Sequence, residues 1–387
     1  MNIGFSGIDF LFRVSARNMS SAAAGKSNKK IMIISDKIKR NDEVKTAEAG
    51  NLKIQPEEPS FKIGSVPVSG LVALAPMAGI TDPVFRHITQ KLGAAFTVSE
   101  MIATKEYIKG SKKVLQKTII NGEYPHIIQL VGCDPVIMAE TARRAEDEGA
   151  HVIDINMGCP SKKVVGGYGG ASLMKDIRLS TQIIDYIIKS VSIPVMVKMR
   201  LGWDELSKNA DELAFCAQEA GVQCITIHGR TRNQKYKGKA DWKAIADAIR
   251  EIKIPVIANG DIETCNDAVQ CLQISGSQAL MVGRAAIGRP WLLGNLNEYL
   301  CKGYSKEPDI RTKVEIITEL YDGLLNHYGK ETGLRHARKH LAAFLSDMTS
   351  CGYEPLSEQK NILLMGNDVK SVKTALSCLH DNVRIRI

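Results

Sequence analysis

Three consecutive stretches decide the fold: PVMVKM (194–199), LSKNADELAFCAQEA (206–220) and QCITIH (223–228). The outer two are short, apolar on both faces and rich in β-branched residues. The middle one repeats its apolar residues at helical spacing. A strand that is apolar on both faces lies in a covered sheet, and a strand–helix–strand alternation makes that sheet parallel. Working outward, the same kind of run recurs at 71–77, 95–99, 126–131, 151–156, 255–259 and 279–283, giving eight strands. Amphipathic stretches such as 136–148 separate most of them. Eight units over about 230 residues fit a (β/α)8 (TIM) barrel. The rival is an open, doubly wound sheet, which places a GxGxxG loop after its first strand. Here the first strand runs into Pro76-Met77-Ala78-Gly79 instead.

The flanks differ in character. Residues 1–65 are mixed and polar and end near Gln55-Pro56-Glu57-Glu58-Pro59; they are expected to be a disordered extension and linker. Residues 1–30 carry Arg13, Arg17, Lys26, Lys29 and Lys30 against Asp9, with serines and alanines interleaved. That pattern resembles an organellar transit peptide, but a plain upstream tail is the preferred reading. The barrel is expected over 66–305. A helical domain follows over 306–387, with helices at 310–327 and 331–348 and two shorter ones ending near His380.

Composition narrows the function. At 44% hydrophobic and 24% charged, the 387 residues are neither a disordered nor a fibrous chain. No apolar run approaches the ~20 residues that span a bilayer, so no membrane partner is expected and the cytoplasm is the expected location. The net charge of +9 permits a polyanionic partner such as nucleic acid. Nine cysteines without a CxxC pair point to a reducing compartment, with no disulfide framework and no metal site. GxSxG, HExxH and Walker patterns are missing from the sequence.

In such a barrel the active site lies at the C-terminal ends of the strands. The sequence places there Pro76-Met77-Ala78, Gln129, Asn156 with Cys159, Lys198 with Arg200, His228 with Arg230, Asn259-Gly260-Asp261 and Gly283-Arg284. Loops seven and eight are the usual phosphate site of the fold. Gly260 and Gly283 let backbone N–H groups approach an anion, and Arg284 adds a charge-assisted bond. Lys198 and Arg200 sit two apart on one strand, so both point inward. Two cations at one mouth need an anion or a developing negative charge. A reduced flavin fits, with Gln129 at the ring edge. A buried ion pair from Lys198 to Asp154 is the structural alternative, the direction of Asp154 being open. Cys159 enters a loop, 161–170, whose four glycines suggest a mobile lid, and its thiol is a candidate nucleophile or proton donor. The other eight cysteines are read as inert.

Taken in order, the motifs are APMAGITD (75–82), NMGCP (156–160), GASLM (170–174), VKMR (197–200), HGRTR (228–232), NGDI (259–262), VGR (282–284) and HARKHL (336–341). They resemble the tRNA-dihydrouridine synthases, most closely the bacterial B-type branch, from about residue 71 to 345. The resemblance implies FMN held by Pro76, Met77, Ala78, Gln129, Lys198, His228, Asn259, Gly260, Asp261, Gly283 and Arg284, with NADPH as reductant. It implies reduction of the C5–C6 double bond of a D-loop uridine in tRNA, with hydride passing from FMN N5 to C6 and a proton from Cys159 to C5. Asn156 and Arg200 would hold the uracil edge. The tRNA would be gripped by the helical domain, where Arg335, Arg338, Lys339 and His340 are spaced to share one helix side; Arg338 and Lys339 are the expected contacts. A uridine in folded tRNA must swing out to reach a barrel floor. A monomer is expected.

Two other functions share parts of this pattern. A reductase of free pyrimidines would use the same barrel and flavin, but has no need of the helical domain. An RNA-binding protein with a relic barrel would keep the basic balance, but has no need of Cys159 beside intact phosphate loops.

Overall fold

A computed structural model describes residues 59–379, apart from 120, 121 and 123, together with the pair 384–385. The extension expected at 1–65 therefore lies largely outside the described residues. Eight parallel strands form the centre: Val72–Leu74, Thr97–Val98, His126–Val131, Val152–Met157, Val195–Arg200, Cys224–His228, Val256–Asn259 and Ala279–Val282. Each pairs with its predecessor, and the eighth returns to the first with Leu280 opposite Val72, closing the barrel read from the sequence. A short segment, Ile102–Ala103, adds to the third strand at Leu130 and Val131.

Local differences have local causes. The first strand stops short of the expected 77 because Pro76 has no N–H to donate. Ala75 still donates to the Val282 carbonyl at 2.8 Å. The helix expected from 206 begins at Ala210. Upstream, Asp204 Oδ1 accepts from the Leu206 and Ser207 backbone N–H groups at 3.1 and 3.0 Å and from Ser207 Oγ at 2.7 Å. That Asx turn competes with the helix and leaves Leu206 fully exposed.

The barrel interior is apolar at its base and polar at its mouth. At the base, Ala73, Phe96, Ile127, Val152, Met196, Cys224, Ile257 and Ala279 meet Ile63, Val66 and Val68. The last three come from a hairpin, Phe61–Ile63 with Val66–Val68. Its turn uses Gly64 at φ +57°, where a Cβ would sit 2.8 Å from Pro194 at the foot of the fifth strand. Burying those three side chains contributes about 1.5–3 kcal/mol each. Residues 61–65 thus belong to the barrel and not to the extension. The hairpin begins inside the stretch expected as extension, because a three-residue alternation is too short to read as a strand.

The helical domain packs Ile310–Tyr328 against Lys330–Ser350, followed by Ser357–Met365 and Val369–Ser377. One small strand pair, Tyr353–Glu354 with Arg384–Ile385, interrupts its helical character. The domain shares a continuous core with the outer layer of the barrel. At the seam, the His340 ring lies 4.7 Å from Phe85, and Arg289 pairs with Asp347 at 3.1 Å. Gly288, at φ +72°, lies so close to the long helix that a Cβ would fall 2.4 Å from the Phe344 nitrogen. The domain is thereby fixed beside the loop that follows the first strand, at one side of the mouth. Among the described residues no helix is long and apolar enough to cross a membrane.

Candidate active site

A cavity of about 560 Å³ opens at the C-terminal ends of the strands. All fifteen residues that the sequence places at the strand ends line it: Pro76, Met77, Ala78, Gln129, Asn156, Cys159, Lys198, Arg200, His228, Arg230, Asn259, Gly260, Asp261, Gly283 and Arg284. Period-two alternation explains the convergence, since inward positions on neighbouring parallel strands share one level. The volume falls within the range of small-molecule and cofactor sites.

One wall is a chain of amides. Gln129 Nε2 donates to Asp154 Oδ2 at 2.7 Å, and Asn156 Nδ2 donates to Gln129 Oε1 at 2.8 Å. Asn156 Oδ1 then accepts from the backbone N–H groups of Gly158 and Cys159 at 3.1 and 2.9 Å. Asp154 therefore points inward. Burial pushes its carboxyl up, against the Gln129 bond and the Lys198 charge. The Cys159 carbonyl accepts from Ala171 at 3.1 Å. The segment expected to be a mobile lid returns to Cys159 through a short helix, Lys162–Gly166, capped by Ser161 Oγ on the Val164 N–H.

The opposite wall is cationic. Lys198 Nζ donates to Asn259 Oδ1 at 2.9 Å, not to Asp154, and Asn259 Nδ2 donates to the Met281 carbonyl at 2.7 Å. Burial and the Arg200 charge lower the Lys198 ammonium, while Asp154 and Cys159 oppose that shift. Arg200 lines the cavity, with most of its guanidinium held by backbone carbonyls. Its Nε donates to the Gly158 carbonyl at 2.7 Å, and its Nη1 to the Thr231 and Lys235 carbonyls at 3.0 and 2.9 Å. Two of its five N–H donors, both on Nη2, remain for a ligand. Asn156 is likewise engaged with protein on both ends of its amide.

Three groups mattered to which the sequence reading gave no part in the chemistry. Arg230, only 2% exposed, bonds both oxygens of Asp261 at 2.7 and 2.5 Å and the Gly238 carbonyl at 2.7 Å. Its Nη1 lies 3.2 Å from His228 Nε2. A guanidinium only donates, so Nε2 accepts and His228 carries its proton on Nδ1. Burial and the surrounding cations hold His228 well below its ordinary pKa, in the neutral form. For Asp261, burial raises the carboxyl, but the Arg230 bond and the Ala240 N–H outweigh it and the net shift is downward. Tyr236 is the second group: half exposed, with the Arg200 and Arg284 guanidinium groups 5.7 and 5.0 Å from its ring. Asp154 is the third. Arg230 was visible two residues after His228, whereas nothing marked Tyr236 among neighbouring lysines.

Arg338 and Lys339 lie outside the cavity. Arg338 Nη2 donates to Asn367 Oδ1 at 2.8 Å, and Lys339 Nζ donates to the Gly79 carbonyl on the loop after the first strand. Arg335 and Lys339 are exposed, but His340 is buried against Phe85 and does not share their face with solvent. Among the described residues no group of three or more His, Cys, Asp or Glu is placed to hold a metal ion. What the cavity brings together is Gly260, Gly283 and Arg284 at loops seven and eight, the Lys198 and Arg200 cations, and the half-buried Cys159 thiol.

Residues 73–382 match the family model described as "Dihydrouridine synthase (Dus)". A "Probable tRNA-dihydrouridine synthase" of Rickettsia conorii is 43% identical over 326 residues, covering 84% of this chain and 97% of that protein. The similarly named protein of Rickettsia typhi is 47% identical over 293 residues, covering 75% and 90%. The "tRNA-dihydrouridine synthase B" of Xanthomonas campestris is 41% identical over 295 residues, covering 74% and 87%. The family match takes in the barrel mouth and the helical domain beside it, so the chain belongs to the dihydrouridine synthase family.

Proposed function

We propose that this chain is an FMN- and NADPH-dependent tRNA-dihydrouridine synthase that reduces a D-loop uridine. The observation that carries the reading is the joining of Cys159, Lys198 and Arg284 in one cavity of cofactor size. The residues suit FMN. Arg284 and the backbone at Gly260 and Gly283 offer a phosphate cradle. Lys198, held by Asn259, offers a cation to the anionic edge of the reduced ring. Asp261 would repel a phosphate directly; bound to Arg230, it orders the loop that carries Gly260. When bound and reduced by NADPH, FMN would supply the hydride for uracil C6.

The chain's own residues do the rest. The Cys159 thiol gives its proton to C5 and regains one from water, so no covalent bond to the enzyme is needed. Asn156 holds the Cys159 backbone in place, and the Nη2 donors of Arg200 are free to meet a uracil oxygen. A swung-out uridine needs its strand held nearby, and Arg335 and Lys339 face solvent beside the mouth for phosphate contacts. The names of the relatives support tRNA as the substrate. We take the enzyme to work as a cytoplasmic monomer.

The test is a purified, flavin-loaded protein given NADPH with and without unmodified tRNA. Flavin reoxidation that requires tRNA and weakens steeply with salt is the expected result. Reoxidation by uracil or orotate derivatives instead, with no response to tRNA, would favour the free-pyrimidine reductase.

A further inference from the structure

We propose that Asp154, buried beneath the cavity and outside its lining, is a positioning residue that sets the direction of two amides and thereby the backbone at Cys159. The proposal rests on the reading of Cys159 as the proton donor. Asp154 is wholly buried on the fourth strand, and only one of its oxygens has a hydrogen-bond partner, Gln129 Nε2 at 2.7 Å. A carboxylate accepts and never donates, so it fixes which end of the Gln129 amide faces it. The other end, Oε1, must then face Asn156, which turns Nδ2 toward it at 2.8 Å. Asn156 Oδ1 is left to accept two backbone N–H groups, those of Gly158 and Cys159, at 3.1 and 2.9 Å.

Each link is directional. If the first amide turned over, its nitrogen would face Asn156, whose own nitrogen would then face two N–H donors. Amide orientation is decided by the network around it, and this chain is pinned at both ends: by Asp154, which as a carboxylate only accepts, and by the Gly158 and Cys159 backbone N–H groups, which only donate. Asp154 is its acceptor end. Lys198 does not replace it, because its ammonium bonds Asn259. The four bonds run from the barrel interior to the residue that follows the strand end, and a buried donor or acceptor left unmatched in such a chain costs more than a bond gained.

Peptide-resolved hydrogen exchange of the purified full-length protein, at alkaline pH where the carboxyl is ionised, tests this without any substrate. Asp154→Asn replaces a group that only accepts with an amide that can turn either end toward Gln129. Gln129→Leu cuts the chain one link later and leaves Asp154 in place. Both are expected to speed exchange at the Gly158 and Cys159 amides by about tenfold or more, with the fifth- and sixth-strand amides unchanged. Alkylation of Cys159 by iodoacetamide, read on its own peptide, is expected to change in the same two variants. If Asp154→Asn does not fold, Gln129→Leu carries the test alone. Wild-type exchange at those amides in a folded Asp154→Asn or Gln129→Leu protein would overturn the proposal. Faster exchange in a protein that makes no dihydrouridine would sustain the relay and sink the proposed reaction instead.

Discussion

Asp82 closes the APMAGITD stretch and begins the Pro83–Lys91 helix, whose Phe85 N–H donates to its Oδ1 at 3.0 Å. It is 1% exposed, and its Oδ2 has no partner. Burial raises its pKa from 3.8 to about 6; Glu100 adds to the rise, while the Phe85 N–H and Arg86 oppose it. The folded state therefore holds this proton more tightly than the unfolded chain. Stability is largest below about pH 4 and falls as pH rises through the window from 3.8 to about 6. At about 1.4 kcal/mol for each pKa unit, the ionised carboxylate costs the fold about 3 kcal/mol at neutral pH. Asp82→Asn keeps an oxygen for the cap and cannot ionise. Urea denaturation of both proteins over a pH series is the assay. The variant is expected to be more stable by up to about 3 kcal/mol at pH 7, with the difference vanishing near pH 4. A difference that does not change with pH, or a variant less stable at pH 7, would refute the reasoning.

Other perturbations follow from the same geometry. Arg230→Met strips Asp261 and the Gly238 carbonyl of a buried donor, so urea unfolding should register a loss of about 3 kcal/mol and flavin titration a weaker site. Gly288→Ala forces a Cβ onto the Phe344 backbone at a positive φ; a melting temperature equal to wild type would contradict the tight seam. Replacing Arg335 or Lys339 by Ala should lower the slope of log affinity for tRNA against log salt by about 1 each, and unchanged slopes would remove that helix face from the RNA contact.

Eight strands were legible because each run is apolar on both faces and long enough to stand out, and their strand-end residues followed from the fold. The base hairpin was not legible, because Ile63, Val66 and Val68 gain meaning only against a barrel foot that sequence spacing does not display. The same holds within the site. Fifteen lining residues could be placed by strand level alone. The partners of Arg200 could not, since Gly158, Thr231 and Lys235 offer backbone carbonyls that any residue type would offer. The grip of Arg338 on Asn367 and the burial of His340 arise from tertiary packing across the helical domain, which a shared helix side does not reveal.

The central claim is that Cys159 donates the proton in a tRNA reduction run from this cavity. Its most direct test is nucleoside mass spectrometry of bulk tRNA from a strain lacking dihydrouridine, incubated with NADPH and flavin-loaded protein. Wild type is expected to form dihydrouridine, and Cys159→Ala to form it at least about 100-fold more slowly with the same flavin content, a loss in the range of a removed general acid. Equal rates from the two proteins would contradict the role of Cys159, and no product from flavin-loaded wild type would contradict the reaction itself.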